Sequence, residues 1–402
     1  MHIGDCIGGY VFFDEAMETE SVAPRFIDHG EVTDTVFKDR NTRILEINSK
    51  TGLYPLYMAY SVFAEKLKGY RDSHMLATDV PVDIQNQIWD NVLKDNIFVI
   101  CKTEMAKSIT KRTLRGLRQS KVNARYFEDL INKITNQSDM FIKKMHDGKN
   151  YWNNDELEEY MKFNAVVGNP PYQAVKATEK AGANSSFATA IYPCFIDIAK
   201  KLNPLYVSMI TPSRWMTKQG QGISDEWVDK MMKSNNFISI HDFSDASDCF
   251  AGVEIKGGVN YFLLSPTYNG MCDYSYHSNG AITNKHNFLD PLNAGIVIRD
   301  SKALSIINKV AAIEGEYYNT ESFTSMVSPK HYFDRDEVLS SNWRGYSKVK
   351  DGVHNIKYYL NRNLEACGYG WVKLSDIPKG KQTIPLQTPD LLTLFSGMFS
   401  AV

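Results

Sequence analysis

The sequence predicts an α/β fold built on a mostly parallel sheet. Short apolar runs typical of buried strands alternate with longer segments in which apolar residues recur every three or four positions, as on one face of a helix. An Asn269-Gly270 turn separates Val259–Leu264 from Cys272–His277, so we expect these two strands to form an antiparallel hairpin at the sheet edge. The other strands are expected at Arg43–Asn48, Ile97–Cys101, Phe163–Gly168, Tyr206–Ile210 and Ile238–Phe243.

Three segments have the apolar spacing of amphipathic helices. The first follows the first strand and presents Leu53, Leu56, Tyr60, Phe63 and Leu67 on one side. The most regular one presents Phe187, Ile191, Phe195, Ile198 and Ala199. It ends in Lys200 and Lys201, where positive charges interact favourably with the helix dipole. The third contains Ala303, Leu304, Ile307 and Val310, beyond the last predicted strands.

Composition and charge exclude several classes of protein. The 45 Lys and Arg residues nearly balance the 47 Asp and Glu residues, so any nucleic-acid binding requires a local basic face. Membrane spans and a secretory signal are not expected, because there is no apolar run long enough and no basic flank before an apolar N-terminal stretch. The six cysteines include no Cys-x-x-Cys pair, which disfavours a disulfide framework or a zinc site. We therefore expect a soluble, cytoplasmic protein that has no membrane partner.

The most informative segment follows the strand Phe163–Gly168 and has the sequence Asn169-Pro170-Pro171-Tyr172. Neither proline has an N–H, so the strand cannot continue and a rigid projection forms at its carboxyl end. Ligands bind at this edge of open α/β sheets. A side-chain amide, a backbone carbonyl and an aromatic ring together suit a flat substrate with an exocyclic amine. An ordinary turn without a ligand is the alternative interpretation, since Asn-Pro turns are common.

The segment Gly168–Tyr172 resembles the catalytic motif of S-adenosylmethionine-dependent amino-methyltransferases. It is most similar to the N6-adenine DNA methyltransferases of restriction–modification systems, as in the methylase domain of combined restriction-modification enzymes. The resemblance extends from Gly30 to about Leu264, in the gamma order of cofactor region, catalytic motif and recognition region. It implies a Rossmann-like sheet and S-adenosylmethionine as cofactor. The catalytic residues that it implies are Asn169, Pro170, Pro171 and Tyr172.

The same resemblance implies a cofactor site with several departures from the family pattern. The implied cofactor residues are Glu46, Asn48, Lys50, Thr51, Gly52, Glu104 and Gly168. The family turn after the first strand is usually Asp-Pro-x-x-Gly-x-Gly, whereas only Gly52 remains here. Cys101-Lys102 stand where the family has the acid that holds the ribose, and Glu104 is the nearest carboxylate. Asp147 and Asp155 are candidates for the acid expected before the catalytic strand, and no metal is implied.

A basic cluster and a short acidic pattern suggest further functions. Eight basic residues and one acid lie between Lys102 and Arg125, and several are three or four positions apart, as in a stripe along a helix. Lys111, Arg112, Arg115 and Arg118 are the candidates for DNA phosphate contacts, and a solvated helix face is the alternative. Asp248 with Glu254-Ile255-Lys256 resembles a metal-dependent nuclease pattern that is common by chance. Trp215 suits either the rim of a base pocket or the core.

These observations predict three regions and one function. We expect an N-terminal extension at 1–27, a methyltransferase domain at 28–266, and a smaller α+β DNA-recognition region at 267–402, which is truncated if the tail from Lys379 is incomplete. The expected reaction is methyl transfer to the N6 amine of a flipped adenine in double-stranded DNA, with a restriction or translocase subunit as a further candidate partner. A protein-glutamine or RNA methyltransferase and an inactive specificity or nuclease subunit remain alternatives.

Overall fold

The computed structural model describes residues 1–14, 19–76, 78–175, 188–218, 220, 222–250, 252–293, 295–314, 347–359, 369–373 and 375. Its strands are β1 (Gly9–Phe13), β2 (Glu20–Ile27), β3 (Ile44–Ser49), β4 (Ile97–Cys101), β5 (Asn123–Tyr126), β6 (Ala165–Gly168), β7 (Gln173–Val175), β8 (Ala188–Ala190), β9 (Tyr206–Pro212), β10 (Phe237–Phe243), β11 (Val259–Leu264), β12 (Cys272–Ser278), β13 (Ala281–Asn287), β14 (Ile356–Tyr359) and β15 (Tyr369–Val372). Its helices are α1 (His2–Ile7), α2 (Glu31–Thr33), α3 (Leu53–Ser73), α4 (Val82–Asp95), α5 (Glu104–Arg115), α6 (Leu130–Asn136), α7 (Ser138–His146), α8 (Tyr192–Lys201), α9 (Asp225–Lys233) and α10 (Ser301–Glu314).

A nine-stranded sheet in the order β13-β12-β10-β11-β9-β6-β3-β4-β5 organises the unit Met1–Lys309. The strands from β9 through β6, β3 and β4 to β5 are all parallel to their neighbours. Beyond β9, strand β11 inserts antiparallel between β9 and β10. The predicted fold class, an α/β fold with a large and mostly parallel central sheet, is thus confirmed.

Strands β3 and β4 form because their apolar residues are buried on both faces, as is usual for parallel strands. Successive side chains point to opposite faces of the sheet. Leu45 and Ile47 therefore join one core with Phe195 of α8, whereas Ile44 joins the other core with Val62 of α3. Glu46 has the same orientation as Ile44, which places a carboxyl group among apolar side chains on the α3 side.

The order of the strands creates a topological switch point between β3 and β6. From β3 the chain goes outward through β4 to β5, and it then returns to form β6 on the other side of β3. Ile47 pairs with Gly168, so the carboxyl ends of β3 and β6 lie side by side. Ligands of open α/β sheets bind in the crevice outside such a pair of strand ends. The fold therefore provides a site where the Asn169–Tyr172 turn begins.

The predicted edge hairpin was assigned to the wrong pair of strands. Strand β11 does not pair with β12 but lies between β9 and β10, and β12 pairs with β10 in parallel. The hairpin at this edge joins β12 to β13 across Asn279 and Gly280. Both residues have positive φ angles, 52° and 72°, as a tight Asn-Gly hairpin turn requires. Two Asn-Gly pairs follow β11, and only the second closes a hairpin.

Other predicted boundaries also shift. The regular helix begins at Tyr192 and not at Phe187, which is outside the described residues, because Ala188–Ala190 form β8. Helix α1 contributes buried Ile3, Cys6 and Ile7 to the core on the α3 side. The sheet continues beyond residue 266 through β12 and β13, and a second compact unit, Val310–Val402, contains the antiparallel pair β14–β15. The role of 267–402 in DNA recognition stays a prediction. None of the helices within the described residues is long and apolar enough to cross a membrane.

Candidate active site

The turn Asn169–Tyr172 emerges from the end of β6 against the backbone of β3. Gly168 is required there, since a Cβ atom on it would lie only 2.7 Å from the Ile47 carbonyl oxygen. Pro170 is buried, and Asn169 and Tyr172 are partly exposed beside it. This arrangement leaves an amide and an aromatic ring accessible on a backbone that is held close to the sheet.

Two hydrogen bonds from outside the turn hold its backbone. Asn48, at the end of β3, donates from Nδ2 to the Asn169 carbonyl oxygen at 2.7 Å. The Ile191 backbone N–H donates to the Tyr172 carbonyl oxygen at 3.1 Å. Asn48 was predicted as a cofactor residue. The structure shows its side-chain amino group bound to the turn Asn169–Tyr172, and its role in cofactor binding stays a prediction.

Glu46 is a buried carboxyl group next to these strand ends. It is only 5 % exposed, and its Oε2 atom has no hydrogen-bond partner. Burial raises the pKa of Glu46 to about 8, and a hydrogen bond with Ser49 offsets only part of that increase. An unpartnered carboxylate oxygen at this position suits an ammonium or hydroxyl donor of a ligand. The residue therefore fits the amino or hydroxyl groups of S-adenosylmethionine.

The turn after β3 packs against α5. Gly52 has a φ angle of 80°, and a Cβ atom there would approach the Thr110 Cα atom to 3.0 Å, so only glycine fits without strain. Thr113 Oγ1 donates to the Thr51 carbonyl oxygen at 2.6 Å, and the hydroxyls of Ser49 and Thr110 lie 3.2 Å apart. Lys50 and Thr51 remain exposed at the surface of this turn. The packing of this turn against α5 thus requires a glycine at position 52.

Of the three predicted acidic residues, Glu104 follows the strand next to β3, whereas Asp147 and Asp155 lie in loops after α7. Glu104 begins α5, directly after the end of β4, and forms an ion pair with Lys107 at 2.6 Å. Asp147 accepts hydrogen bonds from Asn150 in an exposed turn after α7, and Asp155 lies in the loop that follows. Two further acids, Glu128 and Asp129, follow the parallel strand β5 after Phe127. Sequence inspection missed them because β5, Asn-Ala-Arg-Tyr, has no apolar run.

Tyr54 and His2 are two further site neighbours that the sequence did not reveal. Burial raises the pKa of Tyr54 well above its usual value, and the nearby acidic groups of Glu46 and Tyr172 raise it further. His2 Nδ1 lies 2.8 Å from the Tyr54 hydroxyl, and His2 Nε2 lies 2.9 Å from the Ser208 hydroxyl. Helix α1 therefore supports the cleft through His2. Trp215 is fully buried against Phe237, which favours its core interpretation.

Only part of the predicted basic stripe lies on one helix. Lys111, Arg112 and Arg115 are on α5, whereas the helix ends at Arg115 and Arg118 lies beyond it. Arg118 forms an ion pair with Asp90 and a hydrogen bond to Asn86, so the prediction that it continues the stripe was wrong. Burial lowers the pKa of Lys111, and the positive charges of Lys107, Arg115 and Arg125 lower it further.

A cavity of about 500 Å³ opens beside these cations at the outer strand β5. Its lining contains no carboxylate and consists of Lys107, Arg125, Tyr126, Asn150, Tyr151 and Asn153. Within the part of the chain that the structure describes, no cluster of three metal-ligating side chains occurs. Glu254 and Lys256 of the nuclease-like pattern are exposed in the turn before β11 and not on a strand.

Comparison with known proteins gives a consistent match for the central part of the chain. Residues 95–250 match the Eco57I restriction-modification methylase family. A protein of Mycoplasma pneumoniae described as an uncharacterized adenine-specific methylase is 34% identical over 148 residues, which cover 34% of this chain and 34% of the relative. The chain thus spans about a third of the length of this relative.

Similar solved structures come from restriction–modification enzymes. The type IIL enzyme MmeI, solved in complex with DNA, aligns with 61% of this chain and 34% of its own, at 12% identity and a TM-score of 0.41. The M protein of the type I restriction enzyme EcoKI aligns with 60% of this chain and 46% of its own, at 12% identity and a TM-score of 0.33. Through residues 95–250 the chain is similar to the Eco57I restriction-modification methylases, which confirms the resemblance predicted from the Gly168–Tyr172 motif.

Proposed function

We propose that this chain is a site-specific DNA methyltransferase of a restriction–modification system. It transfers a methyl group from S-adenosylmethionine to the N6 amine of an adenine in double-stranded DNA. The observation that carries the proposal is the Asn169–Tyr172 turn at the β3–β6 switch point, next to the buried carboxyl group of Glu46, whose Oε2 atom has no hydrogen-bond partner. A base amine and a cationic cofactor each find a complementary group at this edge.

The turn activates a poor nucleophile. The lone pair of the adenine amine is delocalised into the ring, so the amine attacks weakly unless its geometry changes. Asn169 Oδ1 and the Pro170 carbonyl oxygen accept one N–H each and draw the hydrogens out of the ring plane, which returns electron density to nitrogen. The turn would thus hold the nitrogen towards the methyl group that bound S-adenosylmethionine would supply, and the proton that the amine loses would pass to solvent water. Alignment and preorganised acceptors provide the rate enhancement.

Tyr172 receives the flipped base. The target amine is inside the duplex stack, so the base has to rotate out before it reaches Asn169. The Tyr172 ring replaces part of the lost stacking. Its buried hydroxyl has no hydrogen-bond partner, so a phenylalanine in its place would keep the ring and lose no hydrogen bond.

The end of β3 holds the cofactor. S-adenosylmethionine supplies, when bound, a methyl group on a positively charged sulfur. Glu46 accepts from its amino or hydroxyl groups, and Gly52 lets the loop containing Lys50 and Thr51 approach closely. Glu104 and Gly168 lie at the ends of β4 and β6, the two strands on either side of β3. Asn48 lies beside this site and donates to the turn Asn169–Tyr172.

The α5 face provides the DNA phosphate contacts. Lys111, Arg112 and Arg115 together with Arg125 concentrate positive charge that the surrounding carboxylates do not neutralise, since Glu104 pairs with Lys107. Phosphates are attracted to such a region, and their binding releases condensed counterions. Arg118 contributes less because Asp90 already neutralises it. A cytoplasmic location and a restriction or translocase subunit as partner belong to the same proposal.

The substrate class is tested by incubating the full chain with methyl-labelled S-adenosylmethionine and, in separate reactions, duplex DNA, RNA and a protein extract. Label in DNA that requires Asn169 supports the proposal. Label in protein glutamine or in RNA, with none in DNA, refutes it in favour of another amino-methyltransferase. A chain that fails to bind the cofactor at all is an inactive specificity subunit.

A further inference from the structure

The catalytic turn cannot hold its own backbone in place. Pro170 and Pro171 have no N–H groups, so two of the four residues cannot donate a backbone hydrogen bond. The carbonyl groups of the turn therefore depend on donors from other elements. Asn48 Nδ2 supplies one at 2.7 Å to Asn169, and Ile191 N supplies another at 3.1 Å to Tyr172.

Asn48 is itself fixed rigidly. It lies at the end of β3, is only 4 % exposed, and has a φ angle of 76°. Few residue types other than glycine and asparagine adopt this left-handed region at low cost. Backbone conformation and burial thus leave its amide little freedom, and the sheet pairing of Ile47 with Gly168 sets its distance from the turn.

We infer that Asn48 is a positioning residue that aims the two acceptors of the catalytic turn. The carbonyl that it binds belongs to the peptide unit between Asn169 and Pro170. One proposed acceptor is the side chain of Asn169, and the other is the carbonyl of Pro170. Rotation of the intervening peptide unit displaces both acceptors relative to the target amine. The inference rests on the proposed function for the chemistry and on the observed hydrogen bond for the geometry.

The position of Asn48 gives this hydrogen bond a second role. Asn48 directly precedes the turn Ser49–Gly52, which the proposed function assigns to the cofactor. The bond spans the switch point and joins the cofactor turn to the catalytic turn across 121 residues of sequence. The bond therefore fixes the position of the turn Asn169–Tyr172 relative to the end of β3.

The main test compares Asn48→Gly with Asn48→Asp. Glycine keeps the left-handed backbone without strain and removes the donor. We expect kcat for methyl transfer to fall about tenfold, as for the loss of one aligning hydrogen bond, while the Kd for S-adenosylmethionine is unchanged. Aspartate keeps the side-chain size but places an oxygen opposite the Asn169 carbonyl oxygen, so we expect kcat to fall further. A residue that only filled space would show the opposite order.

The matched control is Asn203→Gly. Asn203 is an exposed asparagine with a φ angle of 50°, in the turn before β9, so the substitution is the same in a similar backbone conformation. We expect its kcat and its Kd for S-adenosylmethionine to equal those of the wild type. An equal fall of kcat in both glycine variants would assign the effect to chain flexibility and would overturn the inference.

Hydrogen–deuterium exchange gives a readout that does not require activity. The backbone amides of Asn169, Tyr172 and Gln173 should exchange faster in Asn48→Gly than in the wild type. Their exchange rates should be the same in Asn203→Gly as in the wild type. If the wild type methylates no substrate, the proposed function fails, and this exchange result alone decides the role of Asn48. Wild-type exchange together with wild-type kcat in Asn48→Gly would contradict the inference. Unchanged kcat with weaker cofactor binding would make Asn48 a cofactor ligand instead.

Discussion

The switch point between β3 and β6 and the basic face of α5 place polar groups in opposite ways. At the switch point, Asn48 and Glu46 are buried. Asn48 Nδ2 donates to the Asn169 carbonyl oxygen, and Glu46 Oε2 has no hydrogen-bond partner. On α5, Lys111 and Arg112 are partly or fully exposed and repel neighbouring cations. Fixed, buried groups suit chemistry at one atom, whereas exposed charge suits a ligand bound through many equivalent contacts.

The two regions should also respond differently to the solvent. Charges at the surface are screened by salt within about 10 Å at ordinary ionic strength, so the α5 face should lose its effect as salt rises. Buried hydrogen-bond partners are much less screened and act at short range. Substitutions at the switch point should therefore change the rate of the chemical step, and substitutions on α5 should change DNA affinity.

The largest effect is expected for Asn169→Ala. The substitution removes one of the two acceptors for the target amine, and the loss of one preorganised partner typically costs about 3 kcal/mol in the barrier. We expect kcat to fall by roughly two orders of magnitude with cofactor affinity nearly intact. Single-turnover kinetics with titrated cofactor check both quantities. A variant with near-wild-type kcat would remove Asn169 from the reaction.

Two substitutions of Tyr172 should have different effects on methyl-transfer activity. Stacking of a base on an aromatic ring is worth about 1–3 kcal/mol, so Tyr172→Ala should weaken methyl transfer by roughly 10-fold or more. Tyr172→Phe should retain activity, because the buried hydroxyl has no partner to lose. Steady-state kinetics on duplex DNA measure both variants. Equal losses in the two would show that the hydroxyl acts in the reaction.

Glu46 should make cofactor binding and stability depend on pH. Its folded pKa of about 8 lies above the ordinary value of 4.5, so its contribution to stability is present below pH 4.5 and is lost as pH rises towards 8. A cationic cofactor binds the carboxylate form, so wild-type affinity should rise with pH over that range relative to Glu46→Gln. Comparison with the variant cancels titration of the cofactor itself. Parallel binding profiles for the two proteins would exclude Glu46 from the cofactor site.

The smallest effect is expected on the basic face. Lys111→Ala should reduce the slope of log affinity against log salt by about one unit, without a change in preferred sequence. Arg118→Ala is the matched control, because its ion pair with Asp90 already neutralises the charge and its slope should change little. Titrations of duplex DNA at several salt concentrations measure both. Identical slopes in the wild type and Lys111→Ala would support a solvated helix face.

Burial on both faces made the central strands predictable. Ile97–Cys101 was predicted with the observed bounds of β4, because every residue in it is apolar. Strands β5 and β13 lack such a run, since Asn123–Tyr126 and Ala281–Asn287 lie at the two edges of the sheet and carry many polar side chains. The predicted pairing of Val259–Leu264 with Cys272–His277 was wrong for a related reason. The sequence shows where a turn can form, whereas the position of β11 between β9 and β10 depends on contacts along its whole length.

The functional site also has a part that the sequence predicts and a part that depends on the fold. The Asn169–Tyr172 turn was recognisable because its four residues are consecutive. The contact of Asn48 with Asn169 joins residues that are 121 positions apart, so it requires the order of the strands. Tyr54 and His2 were missed for the same reason, since α1 reaches the cleft only in the folded chain. Local sequence patterns predicted the Asn169–Tyr172 turn, whereas the residues that surround it could be identified only from the order of the strands and helices.

We expect the switch point to methylate adenine at N6. The most direct measurement is to digest duplex DNA after reaction with the full chain and labelled S-adenosylmethionine, and to identify the labelled nucleoside by mass spectrometry. We predict N6-methyladenine as the labelled base, and roughly a hundredfold less label in the same time when Asn169→Ala replaces the wild type. Label on a cytosine, or equal label on adenine with both proteins, would contradict the claim.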